Sequence, residues 1–241
     1  MRFSYSQPYF IPYPGLFLRA RACDAFVLLD EVQFPRGFTW LRRNRLKGKD
    51  GVLWLTVPIR RKGIGFSPIS RVKIYYGEDW IRKHLLSVKH SYMHSPYFDH
   101  LYPALENIYG KRPSRLLDLN LLLLHLLRES FGLEDNFLLQ SEIKAGGKGE
   151  NLLLSVAEKL GADEVLLPPG AKAHLNLEKL RKEGLKTSFF PYRPAVYPQL
   201  WGEFIKDLSS LDILFNLGPM ALTHLLKFQP SKESPAGGGR D

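Results

Sequence analysis

Between Phe137 and Phe190 the chain reads strand, helix, strand, helix, strand, and that order restricts its architecture more than any other feature. Phe137 to Ile143 is a strand-like run, Glu150 to Leu160 has helical spacing with Gly161 beyond its end, and Glu164 to Leu167 is short and apolar. Leu177 to Glu183 is helical again and Lys186 to Phe190 extended, with Gly146 to Gly149 and Pro168-Pro169-Gly170 as punctuation. Strands separated by a helix pair in parallel, because the crossover returns the chain to the same end of the sheet.

The N-terminal residues fit the same plan. Arg2 to Ser6 alternates like a short strand, Gln7 to Gly15 holds Pro8, Pro12 and Pro14 and cannot be a helix interior, Leu16 to Cys23 suits a helix, and Ala25 to Leu29 a buried strand. The expected fold class is α/β: a parallel sheet with crossover helices, Rossmann-like or nucleotidyltransferase-like. A small antiparallel element (Val52 to Ile59 with Arg71 to Tyr76) and a helical insertion interrupt it. In the insertion, helices are expected over Glu78 to Met93, over Phe98 to Tyr109 despite Pro103, and from a Ser114 cap to about Ser130. Ser209 to Leu217 reads as the final helix. The expectation is one domain over 1–228: a basic region over 1–76, a helical region over 77–135 and a strand–helix–strand region over 136–228. Residues 229–241 read as a disordered tail.

Charge is unevenly distributed. The first 100 residues hold 17 Lys and Arg against 7 Asp and Glu, whereas the remainder is balanced. Residues 36–62 carry nine basic residues against Asp50 alone. Such a cluster concentrates phosphates, nucleotides, nucleic acid or acidic lipid. It also suits a solvated loop, but arginines dominate it and sit among Trp40, Asn44 and Trp54, and Arg favours bidentate phosphate contact. The apolar stretch around Leu121 to Leu124 is interrupted by Asp118, Asn120 and His125, well short of the roughly 20 residues of a membrane span. No signal peptide is evident at the first residues. Cys23 stands alone, so no internal disulfide is possible, a reducing compartment fits, and the chain is expected in the cytoplasm. Entering an apolar strand, Cys23 reads as a small buried filler rather than a nucleophile.

Gln7-Pro-Tyr9-x-x-Pro12-x-x-Gly15 follows the first strand, where α/β sheets bind ligands near helix N-termini. Gln7 offers a directional amide and Gly15 permits close backbone approach; a rigid turn without a ligand fits the spacing equally. Asp30 and Gln33 follow the second strand, and Asp30 suits a general base, a metal ligand, a hydroxyl acceptor or a turn cap. The Gly146-Gly147-Lys148-Gly149 loop fails the Walker pattern, and neither a G-x-G-x-x-G after a strand nor a G-x-S-x-G exists. His90 and His94 share helical spacing, yet no H-E-x-x-H or cysteine pair supports a metal, so none is expected. Asp118 and His125 are expected to face polar neighbours.

Taken in order, these residues resemble the WbqC-like family from about Phe3 to about Ala221. The resemblance rests on Gln7-Pro-Tyr-Phe-Ile-Pro12-x-x-Gly15, Asp24-x-Phe-Val-Leu-Leu-Asp30-x-Val-Gln33, Arg42-Arg-Asn44-Arg45 and Trp54-Leu-Thr56-Val-Pro58. It continues through His90-Ser-Tyr92 with Pro96-Tyr97-Phe98, Leu160-Gly-Ala162-Asp with Pro169-Gly170, Tyr197-Pro-Gln199, and Asp212-x-Leu-Phe-Asn216. Two departures stand out. Trp40 lies four residues before Asn44, and Pro168-Pro169-Gly170-Ala171 replaces a Ser-Gly-x-Gly turn. A fainter likeness to HIGH-type nucleotidyltransferases lacks their paired histidines.

The resemblance implies a place in bacterial surface polysaccharide (O-antigen) synthesis. The expected activity is an enzyme that modifies a nucleotide-activated amino-sugar by acyl or aminoacyl transfer. Gln7, Tyr9 and Gly15 would shape the nucleotide pocket, Arg42, Asn44 and Arg45 would hold the diphosphate, and Asp30 or His90 would be the acid or base. Gln33, Gly170, Tyr197 and Gln199 complete the candidate ligand-binding set. No cofactor is assigned. The rival readings are a nucleic-acid (tRNA) binding protein, a nucleotidyltransferase-like enzyme and a non-catalytic scaffold.

Overall fold

Residue alternation along the second strand separates two apolar layers, and the rest of the chain is arranged about that division. The computed structural model describes residues 1–230. From the N-terminus, β1 (Arg2–Ser6), α1 (Pro14–Arg21) and β2 (Ala25–Leu28) lead into the hairpin β3 (Arg43–Gly48) and β4 (Gly51–Thr56). Three helices follow: α2 (Trp80–Tyr92), α3 (Phe98–Gly110) and α4 (Leu116–Ser130). The chain then returns as β5 (Phe137–Leu139), α5 (Glu150–Leu160), β6 (Glu164–Leu167), α6 (Leu177–Lys182) and β7 (Lys186–Phe189), and ends in α7 (Ser210–Leu217) and α8 (Ala221–Lys227).

Five strands form one parallel sheet in the order β5-β2-β1-β6-β7. Ala25, Val27 and Leu29 point to one face and pack with Leu152, Leu153 and Val156 of α5 and Leu180 of α6. Phe26 and Leu28 point to the other, into a larger core shared by α1, the three central helices, the hairpin and α7. Burial on both faces explains why β2 and β6 read as continuous apolar runs. The fold is therefore α/β, with a parallel sheet and a separate two-stranded antiparallel sheet, as the punctuation implied.

The antiparallel pair is not the one expected. Trp54 and its strand pair with Arg43–Gly48, two residues away across Lys49-Asp50. Arg71 to Tyr76 is not a strand: Ile69–Arg71 is a short 3-10 turn, and only isolated bridges link Ile74 to Ile59 and Lys73 to Arg115. The segment divides its backbone bonds between two neighbours, Tyr75 N–H donating to Pro58 and Ile74 N–H to Ser114, so no continuous ladder forms. Ser114 does not cap α4. Arg115 occupies that position and pairs with Asp118 at 2.6 Å. His125 Nδ1 lies 3.6 Å from Asp135, so Asp118 and His125 both face polar neighbours. The strand expected over Phe137 to Ile143 stops at Leu139, where Glu142 turns back to accept the Leu139 N–H. A further helix, α8, follows α7 after Gly218, whose φ of 50° breaks the helix. The Gln229 side chain is bonded to Arg193 N and O; the remainder of the expected tail, 231–241, lies outside the described residues.

His84 joins α2 to the hairpin. Its Nε2 lies 3.1 Å from Thr56 N and 3.2 Å from Thr56 O, and its Nδ1 lies 3.1 Å from the Tyr109 hydroxyl. Burial lowers its pKa from 6.5 to about 4. Below pH 6.5 the unfolded chain takes up the proton and the folded one does not. The contribution is therefore full above pH 6.5 and is lost as pH falls towards 4, roughly 3 kcal/mol in all. Urea unfolding at pH 7 and pH 4.5 should show that loss in the native chain and a shallower one in His84→Gln; equal losses would remove His84 as the cause.

Candidate functional site

Where strand order reverses, two neighbouring strands send their connections to opposite faces and a crevice opens at their carboxyl ends. Here the reversal falls between β1 and β6. A cleft of about 620 Å³ opens there, lined by Tyr5 to Gln7 and Tyr9 after β1 and by Pro168 after β6. Trp40, Asn44 and Arg45 of the basic segment, Tyr13, Arg19, Tyr192 and Asp207 complete its wall.

The proline-rich turn that forms one lip has its carbonyls bonded one by one. Asn120 of α4 donates to Pro8 O and Leu41 O, Asn44 donates to Phe10 O and Ile11 O, and Ser210 N–H donates to Pro12 O. A turn without regular structure becomes rigid this way. Asn44 is thus a staple between the turn and β3. Gly15 is required behind it, since a Cβ there would meet the Tyr13 ring and lie 2.9 Å from Tyr192. Those two rings meet edge to face at 5.4 Å and form a side of the cleft.

Arg19 gives the cleft its chemistry. It is 4 % exposed, and its Nη1 donates to Ser4 Oγ and Tyr5 O at 2.9 and 2.8 Å. Its guanidinium stacks over Phe26, and no acid among the described residues pairs with it. Burial lowers its pKa, the mark of a desolvated, uncompensated cation. Arg45 adds a second guanidinium, with Nη2 donating to Asp207 O at 2.9 Å and a buried Nε without a partner. Burial raises the pKa of Tyr5, Tyr13 and Tyr192, so all three present protonated hydroxyls at neutral pH. Asp207 is the carboxylate of the lining; it accepts from the Tyr192 hydroxyl at 3.2 Å and sits at φ 56°, a strained conformation of the sort held at functional sites. Two cations, several hydroxyl donors and one carboxylate suit an anion bearing sugar hydroxyls or an amine.

Gln7, Tyr9, Asn44 and Arg45 of the sequence candidates meet in this cleft, with Gly15 behind it. The others lie elsewhere. Asp30 is 1 % exposed and both its oxygens accept from Ser141, N–H and hydroxyl, so it ties the end of β2 to the turn after β5. His90 is exposed on α2, Gly170 is exposed in the turn after β6, and Gln33 bridges to Pro68. Arg42 lines a separate hollow with Arg36, Arg43 and Arg61. Tyr197 and Gln199 bind Asp212 of α7. The Cys23 thiol donates to Ala20 O and is pushed up to about 12 by burial, as befits an inert filler. Among the described residues no cluster of metal-ligating side chains occurs, and no helix is long and apolar enough to cross a membrane.

Arg19, Tyr192 and Asp207 were not legible as site residues. Arg19 left one trace, a charge at helical spacing from Leu16 in a helix whose other charge is Arg21 at its end; the other two arrive from distant loops without any local signature.

The model of the WbqC-like protein family matches residues 7–224. Among curated proteins, the uncharacterized protein Rv1507c of Mycobacterium tuberculosis is 29% identical over 222 residues, covering 91% of this chain and 95% of that protein. No solved structure matches the chain.

Proposed function

The chain belongs to the WbqC-like protein family, and from that premise we propose that it is an enzyme of bacterial surface polysaccharide (O-antigen) synthesis that modifies a nucleotide-activated amino-sugar by acyl or aminoacyl transfer. The observation that carries the reading is Arg19, a buried guanidinium with no acid partner among the described residues, at the switch point of a parallel sheet. A buried charge is costly unless paired, and a diphosphate supplies the missing partner with bidentate geometry. Arg45 reaches the same anion from the hairpin side, and Gln7, Tyr9 and Tyr13 surround the attached groups.

Asp207 stands where the sugar amine would be held. In the transfer, the amine nitrogen attacks the carbonyl carbon of an activated ester or thioester, a C–N bond forms, and the C–O or C–S bond breaks. The amine proton passes to the Asp207 carboxylate and then to the departing alcohol or thiol. The protonated tyrosines are donors for the carbonyl oxygen as it gains charge.

The test is a thermal-shift screen with uridine, guanosine, cytidine and thymidine diphosphate-sugars at about 150 mM salt, near physiological ionic strength. A ligand present at about 100 times its Kd stabilises the folded state by about 2.7 kcal/mol. One nucleotide-sugar should raise the midpoint, Arg45→Ala should weaken it about tenfold or more, and Asp207→Asn should keep binding while losing transfer. No shift with any of them at millimolar concentration would end this reading.

A further inference from the structure

The outward face of the hairpin carries a continuous ladder of cations and rings. Arg43 lies over the Trp54 ring at 4.2 Å, Trp54 stacks on Trp40 at 5.8 Å with 27° between planes, and Arg45 lies over Trp40 at 5.7 Å. Phe38 meets both tryptophans edge-on. Register produces this arrangement: Arg43 and Arg45 share a strand face, and Arg45 pairs directly across from Trp54. Phe38 is 54% exposed, Trp54 39% and Trp40 36%, an unusual amount of aromatic surface left to solvent.

Each end of the ladder reaches a hollow. Trp40 and Arg45 line the cleft already described. Phe38 and Arg43 line a second hollow of about 440 Å³, together with Arg36, Arg42 and Arg61 and with no carboxylate in its wall. None of these arginines is ion-paired among the described residues, and the Nε atoms of Arg43 and Arg45 are buried without partners. Burial and the neighbouring Arg61 and Arg43 lower the pKa of Arg42, so the Arg42 guanidinium is repelled by those two cations in the hollow.

We propose that this face is a docking track for a single-stranded nucleic acid, whose bases pack against the exposed edges of Trp40, Trp54 and Phe38 and whose phosphates are held by Arg36, Arg42, Arg43 and Arg61. Planar rings backed by guanidiniums and flanked by phosphate-sized cationic hollows are the chemistry that single strands use. An acidic membrane would instead call for a projecting apolar tip. Phe66, the most exposed ring at 78%, carries the Arg36 guanidinium against its face at 5.2 Å. The track stands apart from what the cleft binds, although it would deliver the end of a strand beside Arg45.

The test uses the full chain and a fluorescein-labelled oligouridylate of about 12 nucleotides, a length within the usual single-strand site sizes, followed by anisotropy between about 50 and 300 mM KCl. Binding should weaken with salt with a slope of about −3 for roughly four phosphate contacts. Arg36→Ala combined with Arg61→Ala, both exposed positions, should weaken it about tenfold or more at the lowest salt and flatten the slope by about one. Trp54→Ala should weaken it roughly tenfold and leave the slope unchanged, because contacts between rings and bases release no counterions. Absence of binding at the lowest salt, or binding indifferent to the arginine pair, would overturn the proposal. Co-sedimentation with phosphatidylglycerol vesicles in the absence of oligonucleotide binding would overturn it in favour of a membrane surface.

Discussion

Arg19→Met should weaken nucleotide-sugar binding by about 30-fold or more, and the fold should survive. The two halves of this result come from the same cause. In the free protein the Arg19 guanidinium is buried, and no acid among the described residues offsets the cost of removing it from water. Exchanging a buried charge for an apolar chain of similar length relieves that cost. Against this stand two hydrogen bonds, to Ser4 Oγ and Tyr5 O, worth about 1 kcal/mol each. Ser4 is not left orphaned, since its hydroxyl donates to Leu166 O. The net change in stability is therefore small, about 1 kcal/mol in either direction. With ligand present the balance reverses, because a desolvated cation facing a diphosphate contributes about 2–5 kcal/mol on truncation, and the lower end of that range is about 30-fold in Kd. Isothermal titration of both proteins with the nucleotide-sugar found by the screen, beside urea unfolding without ligand, separates the terms. Unchanged affinity would show that the cleft does not use this cation; collapse of the fold would show that Arg19 is structural.

Asp212→Ala should destabilise the fold by about 4 kcal/mol. Asp212 is fully buried in α7, and its carboxylate accepts from the Tyr92 hydroxyl at 2.6 Å, the Tyr197 hydroxyl at 2.7 Å and Gln199 Nε2 at 2.9 Å. Tyr92 in turn accepts the Lys47 N–H, and the Lys47 ammonium donates to Gln199 Oε1. The cluster therefore clamps the hairpin, α2, α7 and the loop before α7 together. Alanine leaves two buried hydroxyls without an acceptor, and each costs about 1–3 kcal/mol. Calorimetry should show a loss near about 10 °C at about 2–4 °C per kcal/mol for a chain of this size, with Tyr197→Phe well below that. Equal losses would mean that packing, not the carboxylate, holds the clamp. Burial also raises the pKa of Asp212 above the ordinary carboxylate value. Its contribution to stability therefore falls as pH rises from that ordinary value through the raised one, opposite in sign to His84.

The two tyrosine–carboxylate contacts mark where reading the sequence reaches its limit. By position Tyr197 and Gln199 suit a ligand, and the fold gives them a carboxylate of its own. Asp30 suits an acid or base, and it is consumed by Ser141. A polar side chain beside a strand end has the same local pattern whether its partner is a substrate or another loop.

The parallel sheet itself was legible. β2 and β6 are short apolar runs buried on both faces, β1 alternates polar and apolar residues, and β7 is a half-buried edge strand set off by Gly184 and Pro191. β3 was not, because Arg43-Asn-Arg-Leu-Lys-Gly carries three cations in six residues, and its outward face is stabilised by Trp54 of its neighbour. The sequence by itself determined the α/β class, the proline-rich turn after β1, and the concentration of positive charge near it. These follow from residue type and spacing over a few turns of chain. Only the tertiary structure decided which cation lies unpaired in the cleft, that Asp207 and Tyr192 join it, and that Arg42 belongs to a different hollow. The partners of a buried charge are set by which distant loops the strand order brings together, and local periodicity carries no record of that.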